Sequence, residues 1–255
     1  MNKIINLLCF LLAINLLVLG NLLIKTATHQ SFLPISYAKN LIHSNDNYNL
    51  ILRILKDTNK ENLIKYVNYI DIKVTNEIPN DSKNKIAFTL SLPEQISFIA
   101  IYDKISDTNL NFEYIIDNLA SVNTFYYYKD FIIIEQSSNN ASENITSKEF
   151  FEVFYKKDNQ FISVFNKNIY SEKIVKKNNN NDILKTIETA SIDHLEGSIP
   201  RILSITTLIE YIGFNSNLNI TEEFNEVNKS TIKEIYEWSN TDEKFILSES
   251  KTINK

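Results

Sequence analysis

Residues Asp182–Ile212, DILKTIETASIDHLEGSIPRILSITTLIEYI, decide how the chain is divided. Asp182 stands where a helix cap would stand, Gly197 lies just past Leu195 where a helix would end, and Pro200 opens the next apolar run. Ile202, Leu203, Ile205, Leu208, Ile209 and Ile212 then recur at spacings of three and four. This grammar predicts one helix from Asp182 to about Leu195 and a second, buried one over Ile199–Ile212. Holding Arg201 and Glu210, the second is too short to span a bilayer comfortably. A last helix is predicted where Thr231 and Glu234 take the capping-box spacing, with Ile232, Ile235, Tyr236 and Trp238 behind them.

Toward the amino terminus the rhythm changes. Asn178–Asn181 is a polar run that separates the helical end from β-rich segments. Strands are expected at Ile70–Thr75, Lys85–Leu92 and Gln95–Tyr102, with a short helix over Asn111–Ala120. Thr124–Tyr128 and Phe131–Gln136 flank Lys129-Asp130 and predict a hairpin, although the turn lacks the favoured Asn-Gly pair. Thr146 and Glu149 take a capping-box spacing, yet the aromatic and β-branched Phe150–Tyr155, with Phe161–Phe165, better fits another hairpin about Lys157–Asn159, and Ile169–Val175 extends the meander. Such short links leave no room for the crossovers that parallel strands need. Farther back, from Ser36 to Ile70, Leu41, Ile42, Leu50, Ile51, Ile54, Leu55, Leu63, Ile64 and Val67 follow a helical period and predict two helices with the break at Asp57–Asn59.

The first residues carry the strongest local signal. Ile4–Ile24 holds no charged residue, and at 1.5 Å per residue it measures roughly the hydrocarbon thickness of a bilayer. It reads as a transmembrane anchor, or alternatively as a signal peptide cut near Gly20. The short, Lys3-bearing flank before it has the form of an export signal, which places the rest outside the cytoplasm. The expected localisation is the inner membrane, single-pass, with the periplasm after cleavage as the alternative. Cys9, the one cysteine, lies inside the apolar run, so an exported body has no disulfide and no cysteine metal site.

The expected fold is therefore α+β. It comprises an N-terminal transmembrane or signal helix at residues 1–25, a helix-plus-antiparallel-sheet extracytoplasmic domain over 26–177, a helical C-terminal part over 182–240 and a polar tail over 241–255.

Composition narrows the chemistry. With three glycines in 255 residues, at 20, 197 and 213, the chain has no glycine-rich phosphate loop, dinucleotide fingerprint or nucleophile elbow. A net charge of −5 gives no field to attract a nucleic-acid backbone, so nucleic acid is not an expected partner. No cofactor or metal is expected: the three histidines are His29, His43 and His194, without metal-ligand spacing.

His194 is the candidate general base of the alternative reading, an exported hydrolase. Asp193, Glu196, Ser198 and Arg201 surround it at the junction between the two expected helices. The stretch DHLEGSIPRILSITTLIEY also resembles the phosphoacceptor box of sensor histidine kinases, in which a proline follows the histidine by five residues. Here Pro200 follows His194 by six and no glycine-rich ATP domain comes after, so no function is carried over. The aromatic run Tyr126–Tyr128 is the candidate platform for stacking a ligand. The leading expectation is a membrane-tethered module for binding, sensing or envelope assembly without its own catalysis, with a protein or small molecule as its partner.

Overall fold

The computed structural model describes residues 32–40, 47–76, 85–92, 96–138, 145–158, 160–176, 182–216 and 219–253. The readings made on 4–24, Cys9, His29, Leu41, Ile42, His43 and Asn178–Asn181 lie outside these residues. Among the described residues, no helix is long and apolar enough to cross a membrane.

Helix is confined to the first part of the described chain. A short α1, Ile35–Asn40, is followed by α2, Tyr48–Asp57, which buries Leu50, Ile51, Ile54 and Leu55 along one side. It stops where the sequence indicates: the Thr58 hydroxyl donates to the Ile54 carbonyl at 2.7 Å, and Asn59 turns the chain with φ of 56°. A 3-10 segment, Glu61–Tyr69, completes this layer.

The helices cover one face of a five-stranded antiparallel sheet in the order β1-β5-β4-β3-β2. Its strands are β1 Leu33–Pro34, β2 Asp71–Asn76, β3 Lys85–Ser91, β4 Ser97–Lys104 and β5 Asn109–Leu119. Phe98, Ile99, Ala100, Ile101 and Tyr102 in β4 are all buried, because both faces of the strand are covered. The short helix expected over Asn111–Ala120 is instead most of β5, paired with β4 from Leu110 to Leu119.

An eight-stranded meander follows: β6 Ser121–Tyr128, β7 Phe131–Ser138, β8 Ile145–Lys157, β9 Gln160–Lys176, β10 Asp182–Leu195, β11 Arg201–Ser216, β12 Asn219–Ser239 and β13 Lys244–Ile253. Each strand pairs antiparallel with the next, in unbroken chain order. Both expected hairpins are present, with Lys129 (φ 53°) and Asp158 (φ 44°) taking the left-handed turn positions that Gly or Asn would ordinarily fill.

The helical C-terminal part is overturned. Asp182–Leu195 and Arg201–Ser216 are long strands paired from Asp182↔Phe214 to Leu195↔Arg201, and the supposed helix junction at Gly197–Pro200 is a hairpin turn. The region around Thr231 is strand as well, and most of the expected polar tail is β13. The fold is thus predominantly antiparallel β rather than α+β with a helical end. The physical reason is visible in β11, where Ile202, Ser204 and Thr206 are buried while Leu203, Ile205 and Thr207 are less so. That is a period of two, masked because two inward positions are hydroxyl residues. Ser204 and Thr206 satisfy each other at 3.1 Å, which lets polar side chains lie inside. β-branched Ile and Thr, frequent in this stretch, also favour the pleated backbone. The capping-box residues find partners across the sheet: Thr231 lies opposite Thr207 with hydroxyls 3.1 Å apart, and Glu234 pairs with Lys167 at 2.6 Å.

The outer face of the first meander strands packs against the five-stranded sheet, joining Ile99, Ile101 and Ile116 to Ile132, Ile134 and Phe154. The other face of the meander curls over itself. Phe131 of β7 meets Trp238 of β12 at 4.9 Å and Phe245 of β13 at 5.2 Å between ring centroids, though these strands are far apart in the sheet order. Phe131, Ile132, Ile133 and Ile134 are consequently all buried.

Candidate functional site

The curl brings together two groups that the sequence offers separately. β6 carries Tyr126 and Tyr128 on one side and Phe125 and Tyr127 on the other, as strand alternation requires. Phe125 and Tyr127 join the inter-sheet core, while Tyr126 and Tyr128 face inside the curl. His194, near the end of β10, meets both. Its ring stacks on Tyr128 with centroids 4.2 Å apart and planes 15° from parallel, and its Nε2 lies 3.4 Å from the Tyr126 hydroxyl. Phe151 of β8 closes the third side at 5.9 Å.

Two further bonds fix this geometry. The Tyr128 hydroxyl donates to the Leu195 carbonyl at 3.2 Å, and the Lys129 ammonium donates to the Gly197 carbonyl at 2.8 Å. The tip of the β6–β7 hairpin is thereby tied to the tip of the β10–β11 hairpin. Gly197, with φ of +153°, supplies a turn conformation that side chains rarely adopt.

Electrostatically the site favours a neutral imidazole. Burial holds the His194 pKa below the ordinary histidine value, and the opposing pull of Asp193 is weaker. His194 Nδ1 is buried with no hydrogen-bond partner among the described residues, an exception among native buried polar atoms. Burial likewise raises the Tyr126 phenol to about 12, followed by the charge of Glu135.

The other residues around His194 stay apart from it. Asp193 is exposed, as successive residues on a strand face opposite ways; Glu196 and Ser198 are exposed at the turn. Arg201 donates to the Glu196 carbonyl at 3.3 Å. The three-residue group a hydrolase would use is therefore not assembled here from these neighbours. Among the described residues, no group of three or more His, Cys, Asp or Glu side chains converges to hold a metal.

Farther along the inner face lie Tyr155, Tyr236 and Trp238, all half-buried, with Lys167 and Glu234 bridging β9 and β12. Sequence reasoning missed Tyr236 and Trp238 because it placed them on a helix. Phe245↔Trp238 pairing could have revealed them, since both are aromatics flanking the short Asn240–Glu243 turn. Comparison with protein-family models, with curated proteins and with solved structures finds nothing that matches this chain.

Proposed function

We propose that the chain is a membrane-tethered, extracytoplasmic binding module that acts in sensing or envelope assembly by contact rather than by catalysis. The observation that carries this reading is the inner face of the curled sheet, where Tyr126 and Tyr128 beside His194, and Tyr155, Tyr236 and Trp238 farther along, stay only half-buried. Half-exposed rings offer a large apolar area at small cost in side-chain entropy, and their polar tips give direction to a partner. The uncharged run Ile4–Ile24 supports the tether.

The test is a photoreactive phenylalanine analogue placed at Tyr126 in the full chain, irradiated in intact cells alongside the same probe at exposed Ser250. A discrete adduct from position 126 alone, on protein that stays with the membrane after alkaline extraction, is the expected result. Adducts equal at both positions, or release of the full-length chain by alkali, would overturn it. So would a purified chain with hydrolase activity that His194→Ala abolishes.

A further inference from the structure

We propose that the cleft between β1, α1 and α2 binds an amphiphilic oxyanion, a phosphate or carboxylate group carried on a short apolar body. The cleft has a volume of about 380 Å³, the size of a small-molecule site. Leu33, Pro34 and Leu52 form its apolar wall, while Tyr37, Arg53 and Lys56 supply polar groups. It lies on the side of α2 opposite the buried Leu50, Ile51, Ile54 and Leu55, and its wall residues Leu33 and Leu52 join it to the core.

Arg53 is one of two arginines in the chain and is held in place from behind. Its Nε lies 2.9 and 3.1 Å from the two Asp57 carboxylate oxygens. Asp57 in turn accepts from the hydroxyl of Tyr102 at 3.0 Å, and Tyr102 is wholly buried. The guanidinium is thus oriented through Nε, and its two terminal amino groups have no partner among the described residues. Such a planar fork matches an oxyanion with two parallel hydrogen bonds. Asp57 offsets the Arg53 charge but leaves those donors available.

Lys56 supplies the net positive charge. Four half-buried lysines are paired, Lys60 with Asp117 at 2.7 Å, Lys85 with Glu113 at 2.7 Å, Lys167 with Glu234 at 2.6 Å and Lys185 with Glu172 at 2.8 Å, whereas Lys56 is exposed. Lys56 has no acidic partner among the described residues, in a chain whose acids outnumber its bases. Its place in the last turn of α2 suits the helix dipole, which accounts for a cation there but not for the cleft and the oriented Arg53 beside it. The inference goes beyond the tether reading and does not need it. Two sources fit the chemistry: a soluble organic phosphate or carboxylate, and an anionic lipid headgroup, which a chain anchored at Ile4–Ile24 would meet close to Leu33.

The experiment uses the full chain in nonionic detergent, titrated with hexyl phosphate, hexanoate and hexyltrimethylammonium and followed by NMR. Saturable shifts at α2 amides are expected with the two anions and not with the cation. Lys56→Gln and Arg53→Lys should each weaken hexyl phosphate binding about fivefold or more, a loss of roughly 1 kcal/mol. Lys65→Gln, outside the cleft, should leave it unchanged. Should Arg53→Lys disturb folding, Lys56→Gln alone decides. Binding that is unsaturable, or equally weakened by Lys65→Gln, would overturn the proposal. A second arm places the full chain in phosphatidylcholine vesicles with or without phosphatidylglycerol and measures amide exchange over Tyr48–Asp57. Protection by phosphatidylglycerol identifies the headgroup source; protection by hexyl phosphate alone identifies a soluble one; protection by neither overturns the site.

Discussion

Tyr128 and His194, on strands β6 and β10, stack face to face at 4.2 Å and hold the two ends of the curl together. Removing the Tyr128 ring should cost about 1–2 kcal/mol, since it loses both buried area and the stacked pair. Tyr128→Phe keeps the ring and forfeits only the bond to the Leu195 carbonyl. Urea midpoints should therefore fall in the order wild type, Tyr128→Phe, Tyr128→Ala. A Tyr128→Ala protein as stable as wild type would show that the stack does not hold the curl.

His194 makes stability sensitive to acid. Its pKa is depressed in the folded state by burial, so the unfolded chain binds the proton more readily. The stabilisation is complete above the unfolded value of about 6.5 and is lost as pH falls through the lower folded value. The melting temperature of wild type should drop more between pH 7.5 and pH 5 than that of His194→Phe. At pH 7.5 the variant should be at least as stable, because the unpartnered Nδ1 has gone. Identical acid slopes for the two proteins would remove His194 as the source.

Gly213 is required by a close approach. It lies opposite Phe224 in the β11–β12 ladder, and a Cβ there would sit 2.8 Å from the Phe224 ring, which also lies 5.5 Å from the Lys185 ammonium. Gly213→Ala should cost about 1–2 kcal/mol by overpacking. Phe224→Leu in the same chain should recover part of that loss in a double-mutant cycle read by urea denaturation.

Tyr102 behaves oppositely to His194 with pH. Burial first, then the Asp57 charge, push its phenol far above the ordinary value. The stability it contributes is present below about pH 10 and declines as pH rises past that point, because the unfolded phenol ionises first. Tyr102→Phe should cost about 1–2 kcal/mol at neutral pH by removing a buried bond to a carboxylate. It should also flatten the alkaline limb of the melting-temperature profile.

Legibility in the sequence depended on which residues occupied the inward positions. In β7 four consecutive apolar residues, Phe131–Ile134, announce a strand covered on both faces, and the adjoining hairpin is readable even with Lys129 in its turn. α2 is readable because its buried residues are all apolar and Thr58 ends it. In β11 the inward Ser204 and Thr206 blur the alternation, and the remaining isoleucines and leucines happen to fit a helical spacing. Thr231 and Glu234 imitate a cap while serving as cross-sheet partners. Of the site, His194 and Tyr126–Tyr128 each stand out locally. Their meeting depends on the curvature of eight strands, which no local pattern encodes.

That every strand of the meander pairs with its sequence neighbour also bears on how the chain is made. Ladders of this kind close short loops at each step, so the sheet can grow hairpin by hairpin as residues emerge, without waiting for distant partners. The aromatic contacts of the curl are the exception, since Phe131 must wait for Phe245, near the far end, to arrive. Completion of synthesis is therefore itself a folding signal: a chain halted before Lys244 would display an unsealed aromatic face, the kind of surface by which quality-control proteases and chaperones distinguish unfinished products.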